Sequence, residues 1–218
     1  MAGSPKRGLP PRAFLKSAGP GKTIRVYRDK EDIYLQGSPA DAVFYLQRGM
    51  VKLSTVFTHR RKKAVVALLR GGDLFGEGCL GREQWRVSTA TSIGPCTITR
   101  VEKAVFRKKL AQDPAFSAMF MKHLLSQVER FEADLADQLL NFSERRLARI
   151  LLLHRGFAYG STRAASKQLL SQTTLAEMVG TTRARISFFM NEFKGKGYLH
   201  YNGGLEIDSK RLAAFLAR

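Results

Sequence analysis

The sequence predicts an α+β fold: an N-terminal β-barrel, one long dimerisation helix and a C-terminal winged helix-turn-helix. Three observations carry that expectation. Short apolar runs punctuated by glycine fill Thr23 to about Val105, the texture of a small all-β barrel or sandwich. After "DPAF" (113–116) the apolar period lengthens to three or four residues and persists through Asn141, as a helix requires. Then "TTLAEMVGTTRARISFFMNEF" (173–193) sets two amphipathic runs on either side of Gly180, and "YLHYNGGLEI" (198–207) alternates around Asn202-Gly203.

Residues 1–22 hold Lys6, Arg7, Arg12, Lys16 and Lys22 among Pro and Gly, with no acidic residue. Such a composition reads as a flexible basic arm. The barrel occupies 23–112, with strands in "TIRVYR", "DIYLQG", "AVFYLQRG", "MVKLSTVF", "AVVALLRGG", "VSTATS" and "CTITRVEKAVF". The charged run "HRRKKA" (59–64) sits between two of these and reads as a solvated hairpin tip.

Residues 113–141 form the long helix, striped by Leu124, Val128, Phe131, Leu135 and Leu139 and flanked by Glu129, Arg130, Glu132, Asp134 and Asp137. No second helix of matching length is available to cover the stripe. Self-association as a parallel homodimer through Leu124, Val128, Phe131 and Leu135 is therefore the expected use, against the alternative of an internal core contact.

Residues 142–218 form the last domain. "SERRLARILLLH" opens it with Ser143 as N-cap and Leu147, Ile150, Leu151 and His154 on one face, and Asn141–Ser143 is the expected hinge. In the quoted helix pair, Ser171 caps a first helix with Leu175, Ala176 and Val179 inward. Gly180 makes the left-handed turn, and Thr182 caps a second helix with Ile186, Phe189, Met190 and Phe193 inward. That packing leaves Arg183, Arg185 and Ser187 near the exposed N-terminal end, where a recognition helix enters a major groove. Asn-Gly between alternating residues is a strong hairpin signal, so the helix pair carries a β-wing.

A formal charge of +19 and a pI of about 10.4 exceed what solubility needs. Such an excess suits phosphate backbones, an anionic membrane or acidic partners, nucleic acid first, and with the helix pair and wing the expected partner is double-stranded DNA. A membrane span needs about 20 apolar residues and the chain has no such run. It also lacks the apolar segment of a secretory signal, so the expected location is cytoplasmic. Cys79 and Cys96 are far apart, and His59, His123, His154 and His200 are scattered. No metal site, and no catalytic residue set, is expected. A metal-dependent barrel enzyme would need several ligands where the barrel offers only His59.

With a barrel, a long helix and a winged helix in that order, the chain from about Thr23 to its C-terminus resembles the CRP/FNR family of bacterial transcription regulators. The most specific segments are the quoted helix pair and "GGDLFGEGCLGREQWRVSTATS" (71–92). The resemblance implies a cyclic-nucleotide-binding-like jelly roll controlling the DNA-binding domains of a homodimer on a partly palindromic promoter site, with RNA polymerase as a further candidate partner.

It also implies a ligand site at Gly76, Glu77, Gly78, Arg86, Val87 and Ser88: backbone N–H groups and Arg86 for a cyclic phosphate, Glu77 for a ribose hydroxyl. The family commonly places Ser or Thr where Val87 stands, with Ser88 one step later, and the long helix lacks the hydroxyls that read adenine. Three alternatives stay open: a cyclic nucleotide (cyclic AMP or cyclic GMP), another small molecule, or no ligand with Glu77 and Arg86 as a structural ion pair. An N-terminal cysteine cluster for iron–sulfur sensing is absent. For DNA, the family's usual Glu is replaced by Ala184 and a following Arg by Phe188. Arg183 is then the candidate guanine reader; Thr173, Thr182 and Arg185 are candidate phosphate contacts, and Gln172 reaches either. The competing reading is a cyclic-nucleotide-binding module that controls a protein partner without DNA.

Overall fold

The N-terminal part is organised by two long strands with a sharp bend. The computed structural model describes residues 11–57, 62–82, 84–154, 170–201 and 205–217. Its chain forms two compact units, divided at Glu129–Arg130.

The first unit comprises α1 (Pro11–Lys16), β1 (Lys22–Tyr27), β2 (Asp32–Tyr34), β3 (Ala42–Phe57), β4 (Lys62–Arg70), β5 (Leu74–Phe75), β6 (Thr89–Glu102), α2 (Lys103–Gln112) and the start of α3 (Pro114–Leu140). The sheet runs β1-β6-β3-β4 in antiparallel pairs, with β2 also on β6 and β5 on β3. Among the described residues this ladder does not close into a ring; it is an antiparallel sheet that bends, followed by a long helix and a helix-turn-helix unit, in the order the sequence predicts.

The bend has an identifiable cause. Pairing of β3 with β6 shifts register between Leu46 and Arg48 and again between Arg48 and Met50, and extra residues of this kind kink a strand. Gly49 lies in that kink at φ 94°, and a Cβ there would stand 2.5 Å from the Pro95 carbonyl oxygen. Only glycine permits this approach.

Alternation along β3 then feeds two cores. Ala42, Phe44 and Leu46 face one cluster with Tyr27, Val51, Leu69, Phe75, Cys96 and Ile98. Val43 and Tyr45 face a second cluster with Leu15, Leu74, Cys79, Val101, Phe106, Phe116 and Phe120. Successive side chains point to opposite faces, so a strand buried on both sides joins the inside of the sheet to the helices outside it. The two free cysteines are buried, one in each cluster.

Residues 11–22 correct the flexible-arm reading. Leu15 of α1 is 1% exposed, Phe14 packs edge-on against Phe116 at 5.4 Å, and Lys22 Nζ donates to the Phe14 carbonyl at 3.0 Å. Two adjacent apolar residues suffice to dock one and a half turns on the helical core. Residues 1–10 of the expected arm lie outside the described residues, as does the tip of the β3–β4 hairpin at 58–61.

The second unit holds the end of α3, then α4 (Ser143–His154), α5 (Gln172–Val179), α6 (Arg183–Gly195), β7 (Leu199–Tyr201), β8 (Leu205–Ile207) and α7 (Ser209–Leu216). One core cluster, including Leu147, Leu151, Leu175, Val179, Ile186, Phe189, Phe193, Leu199 and Leu212, holds the helices and the hairpin together. The unit boundary falls inside α3, not at the expected 141/142. Arg149 of α4 accounts for this: its Nη1 reaches Asp134 at 2.9 Å and Asp137 at 3.4 Å. Asn141 also bonds Asp137 at 2.9 Å. The last turns of α3 are thus tied to α4 by partly buried ion pairs.

Leu15→Ala should lower the unfolding free energy by about 2 kcal/mol or more, the usual cost of truncating a buried leucine. Urea unfolding followed by circular dichroism checks this; an unchanged midpoint would restore the flexible-arm reading.

Candidate functional site

The exposed end of α6 is built by its own caps. Ser171 Oγ accepts from the Thr174 N–H at 3.1 Å and starts α5. Gly180 ends α5 at φ 72°, ψ 38° in the left-handed region, where a side chain would be strained. Thr182 Oγ1 accepts from the Arg185 N–H at 3.2 Å and starts α6. Each cap satisfies one of the orphan donors of a helix start, worth about 1 kcal/mol.

Packing fixes the rotation of α6. Ile186, Phe189, Met190 and Phe193 are buried, one face of a 3.6-residue period. Thr182, Arg183, Ala184, Arg185 and Phe188 are exposed, and Ser187 is half-buried. On α5, Thr173 is exposed and Gln172 half-buried at the helix start. All six sequence-predicted contact residues therefore lie at the N-terminal ends of α5 and α6, with free backbone N–H groups and positive dipole ends beside them. Strands β7 and β8 pair antiparallel as a hairpin, Leu199 with Ile207 and Tyr201 with Leu205. The expected Asn202-Gly203 turn lies outside the described residues.

Along α3, Met121, Leu125, Val128, Phe131, Leu135 and Leu139 are each at least half exposed. Met121, Val128 and Leu135 recur at intervals of seven, the seam of a two-stranded helical pair. Leu124, expected on that seam, is only half-buried by its own unit, packed against the Phe116 and Phe120 cluster.

The second candidate site centres on Arg86, which is 5% exposed. Its guanidinium lies 4.5 Å from the Tyr34 ring and 5.2 Å from the Phe44 ring. Nη1 donates to the Gly76 carbonyl at 3.0 Å and Nη2 to the Ala42 carbonyl at 2.7 Å. Asp41, at 3.6 Å, completes the ion pair, whereas the sequence reading offers Glu77 as the structural partner. The Nε of Arg86 is buried without a hydrogen-bond partner.

Gly76 precedes a single 3-10 turn, Glu77–Leu80, at φ 77°, and a Cβ there would stand 2.7 Å from Arg86 Nη1. Around the arginine the strand alternates: Val87 is 69% exposed and Ser88 is buried. The hydroxyl that follows Arg86 on the inner face is thus Ser88, which shares a hydrogen bond with Tyr34. Burial lifts the Tyr34 phenol to about 12, against the opposing pull of the Arg86 cation and of Ser88. Sequence reasoning missed Tyr34 and Phe44; the alternation of "DIYLQG" and "AVFYLQRG" was the available signal. Among the described residues no His, Cys, Asp and Glu cluster fits a metal ion, and no helix is long and apolar enough to cross a membrane.

Comparisons with known proteins agree with both halves. Residues 24–113 match the family model of the cyclic nucleotide-binding domain, and residues 145–217 match that of the Crp-like helix-turn-helix domain. The chain is 24% identical over 83% of its length, and 82% of the relative's, to the CRP-like cAMP-activated global transcriptional regulator of Mycobacterium tuberculosis. It is 27% identical to the global nitrogen regulator of Synechococcus elongatus over 93% of this chain and 91% of that one. In fold it is similar to a CRP-family transcriptional regulator of Thermus thermophilus, with TM-score 0.73 and 20% identity, covering 89% of this chain and 97% of the other.

The raised phenol sets an alkaline expectation. Tyr34 stays neutral in the folded state up to about 12 but ionises near 10 when unfolded. The stability it contributes is intact below pH about 10 and falls as pH rises towards 12, because the unfolded state there binds fewer protons. Urea midpoints at about pH 9 and pH 11 should therefore fall less steeply for Tyr34→Phe than for the wild type; equal slopes would contradict this.

Proposed function

Because the chain belongs to the CRP/FNR family of bacterial transcription regulators, and is a DNA-binding regulator of transcription, we propose that it works as a homodimer on a partly palindromic promoter site. The observation that carries this reading is α6: one face held in the core, and an N-terminal end presenting Arg183 and Arg185. The unpartnered seam of α3 supports pairing, since two copies bury Val128, Phe131 and Leu135 against each other. A two-fold dimer presents two recognition helices to half-sites about one helical turn, roughly 34 Å, apart.

Within each half-site, Arg183 reads guanine, Arg185, Thr173 and Thr182 hold phosphates, and Gln172 supports either. Thr182 keeps its hydroxyl proton for a phosphate while its oxygen caps α6. Ser187 borders the same surface. In this reading the protein is cytoplasmic, catalyses no reaction, and meets RNA polymerase at the promoter.

The sheet domain is the sensory half. A cyclic nucleotide is the ligand class favoured by the cyclic nucleotide-binding match and by the buried cation, with the M. tuberculosis relative named as cAMP-activated. Arg86 has an unspent Nε donor for an anion, yet binding a phosphate through the fork means exchanging the Gly76 and Ala42 carbonyl bonds for it. A specific observation also favours a second reading, in which Arg86 is a structural keystone: Nη1 and Nη2 each donate to a carbonyl and the cation is stacked on two rings. In either case a ligand changes DNA binding only by holding one arrangement more tightly than the other.

Gel-shift titrations over a range of salt on a selected site and on random DNA test the DNA reading. Arg183→Ala should lose about 1 to 3 kcal/mol of discrimination between the two. Arg185→Ala should weaken both alike and reduce the salt slope by about one. Leu135→Glu, at an exposed position, should leave a folded monomer in sedimentation and abolish site-specific binding. Equal losses on both DNAs for Arg183→Ala, or an unaltered dimer for Leu135→Glu, would refute these assignments.

Calorimetry with cyclic AMP and cyclic GMP should give heat that Arg86→Lys removes. Silence with both nucleotides would leave the keystone reading, in which truncating Arg86 lowers stability by about 1 to 3 kcal/mol for each buried carbonyl left without its donor.

A further inference from the structure

The exposed face of α6 carries one large apolar side chain that the fold does not use. Phe188 is 63% exposed, whereas the other large apolar side chains of α6, Ile186, Phe189, Met190 and Phe193, are buried in the core. It stands four residues after exposed Ala184, on the same helix face. Its ring meets the buried Phe189 edge-on, with centroids 5.7 Å apart and planes at 65°. A helical side chain leans towards the N-terminus over its i−3 and i−4 neighbours, which places the phenyl on the turn that carries Ala184 and Arg185. A braced, exposed ring one turn after exposed Arg185, on a chain of net charge +19, fits a polyanion with an apolar group at the right depth.

Resting on the DNA reading above, we propose that Phe188 recognises the C5-methyl group of a thymine in the major groove and is a specificity-determining residue of α6. In the major groove guanine and adenine present hydrogen-bonding atoms and cytosine its N4 donor beside a bare C5–H, whereas thymine alone adds a methyl group. Phe188 has no donor or acceptor. Against any other base it covers polar atoms that then lack partners; against thymine it buries a methyl on a phenyl. Ala184, lacking the carboxylate that accepts from cytosine, leaves space for the ring and adds its own methyl to the same surface. Arg183 and Phe188 together specify a guanine and a thymine on adjoining parts of each half-site.

The test uses the full chain and a duplex that it selects from a random pool. Each thymine of one half-site is replaced in turn by deoxyuridine, which differs only by the missing methyl. For the wild type, one position should weaken binding about fourfold, the factor expected for one buried methyl group. Phe188→Ala should bind thymine and uracil duplexes equally, while Arg183→Ala should keep the uracil penalty. Phe188 is exposed, so these variants remain folded, which circular dichroism confirms.

Tolerance of uracil at every position by the wild type would overturn the proposal. So would a penalty that survives Phe188→Ala, or an unaltered base preference in that variant, which would assign the ring to a protein contact. Failure of the wild type to select any duplex is a different outcome: it removes the DNA reading, and this inference with it.

Discussion

One face of α6 is committed to the core, and everything the protein presents to DNA follows from that commitment. Ile186, Phe189, Met190 and Phe193 pin the helix by a period it cannot escape, so residues at other angles must point outward. Caps at Ser171 and Thr182 and the left-handed Gly180 then set where each helix begins. Were the helix to rotate by one residue, charged Arg185 would take the core position of Ile186, and Ile186 the half-exposed position of Ser187. Desolvating an unpaired guanidinium costs far more than any local gain, so the register of the surface is as firm as that of the core.

The sheet domain solves a different problem, that of a cation kept away from water. Arg86 is held by two carbonyls, a carboxylate and two aromatic faces. Charge-assisted hydrogen bonds of about 1.5 to 3 kcal/mol each, with ring contacts adding about 1, offset a desolvation cost of several kcal/mol. Such a site is close to balance. An anion reaching the fork would compete with main-chain oxygens of β3 and of the turn before Glu77, and any movement of the guanidinium would release both. The bend at Gly49 and the two-faced burial of β3 connect that response to the helical cluster around Phe116.

Much of this was legible in the sequence where a local rule has no competitor. Ser171, Gly180 and Thr182 announce their roles through capping chemistry, and the α3 stripe through its period. Other features needed three dimensions. Phe14 and Leu15 were diluted among Pro, Gly and Lys, so composition suggested an arm where packing makes a helix. Leu124 continues the stripe by spacing, yet the Phe116 and Phe120 cluster reaches it first. The division between units was placed at a break in helical pattern, but Arg149 reaches back across that break to Asp134 and Asp137. Tyr34 stacks on an arginine 52 positions away in sequence, a pairing that only the β2–β6 ladder creates.

The two thiols have a practical consequence. Cys79 and Cys96 are sealed in different clusters, and burial pushes both above the ordinary thiol range, so alkylating reagents meet almost no thiolate in the native molecule. Each sulfur becomes reactive only when its own layer opens. Mass-resolved labelling can therefore report the loosening of the helix-covered layer and of the inner sheet layer as separate clocks, without introducing any foreign probe.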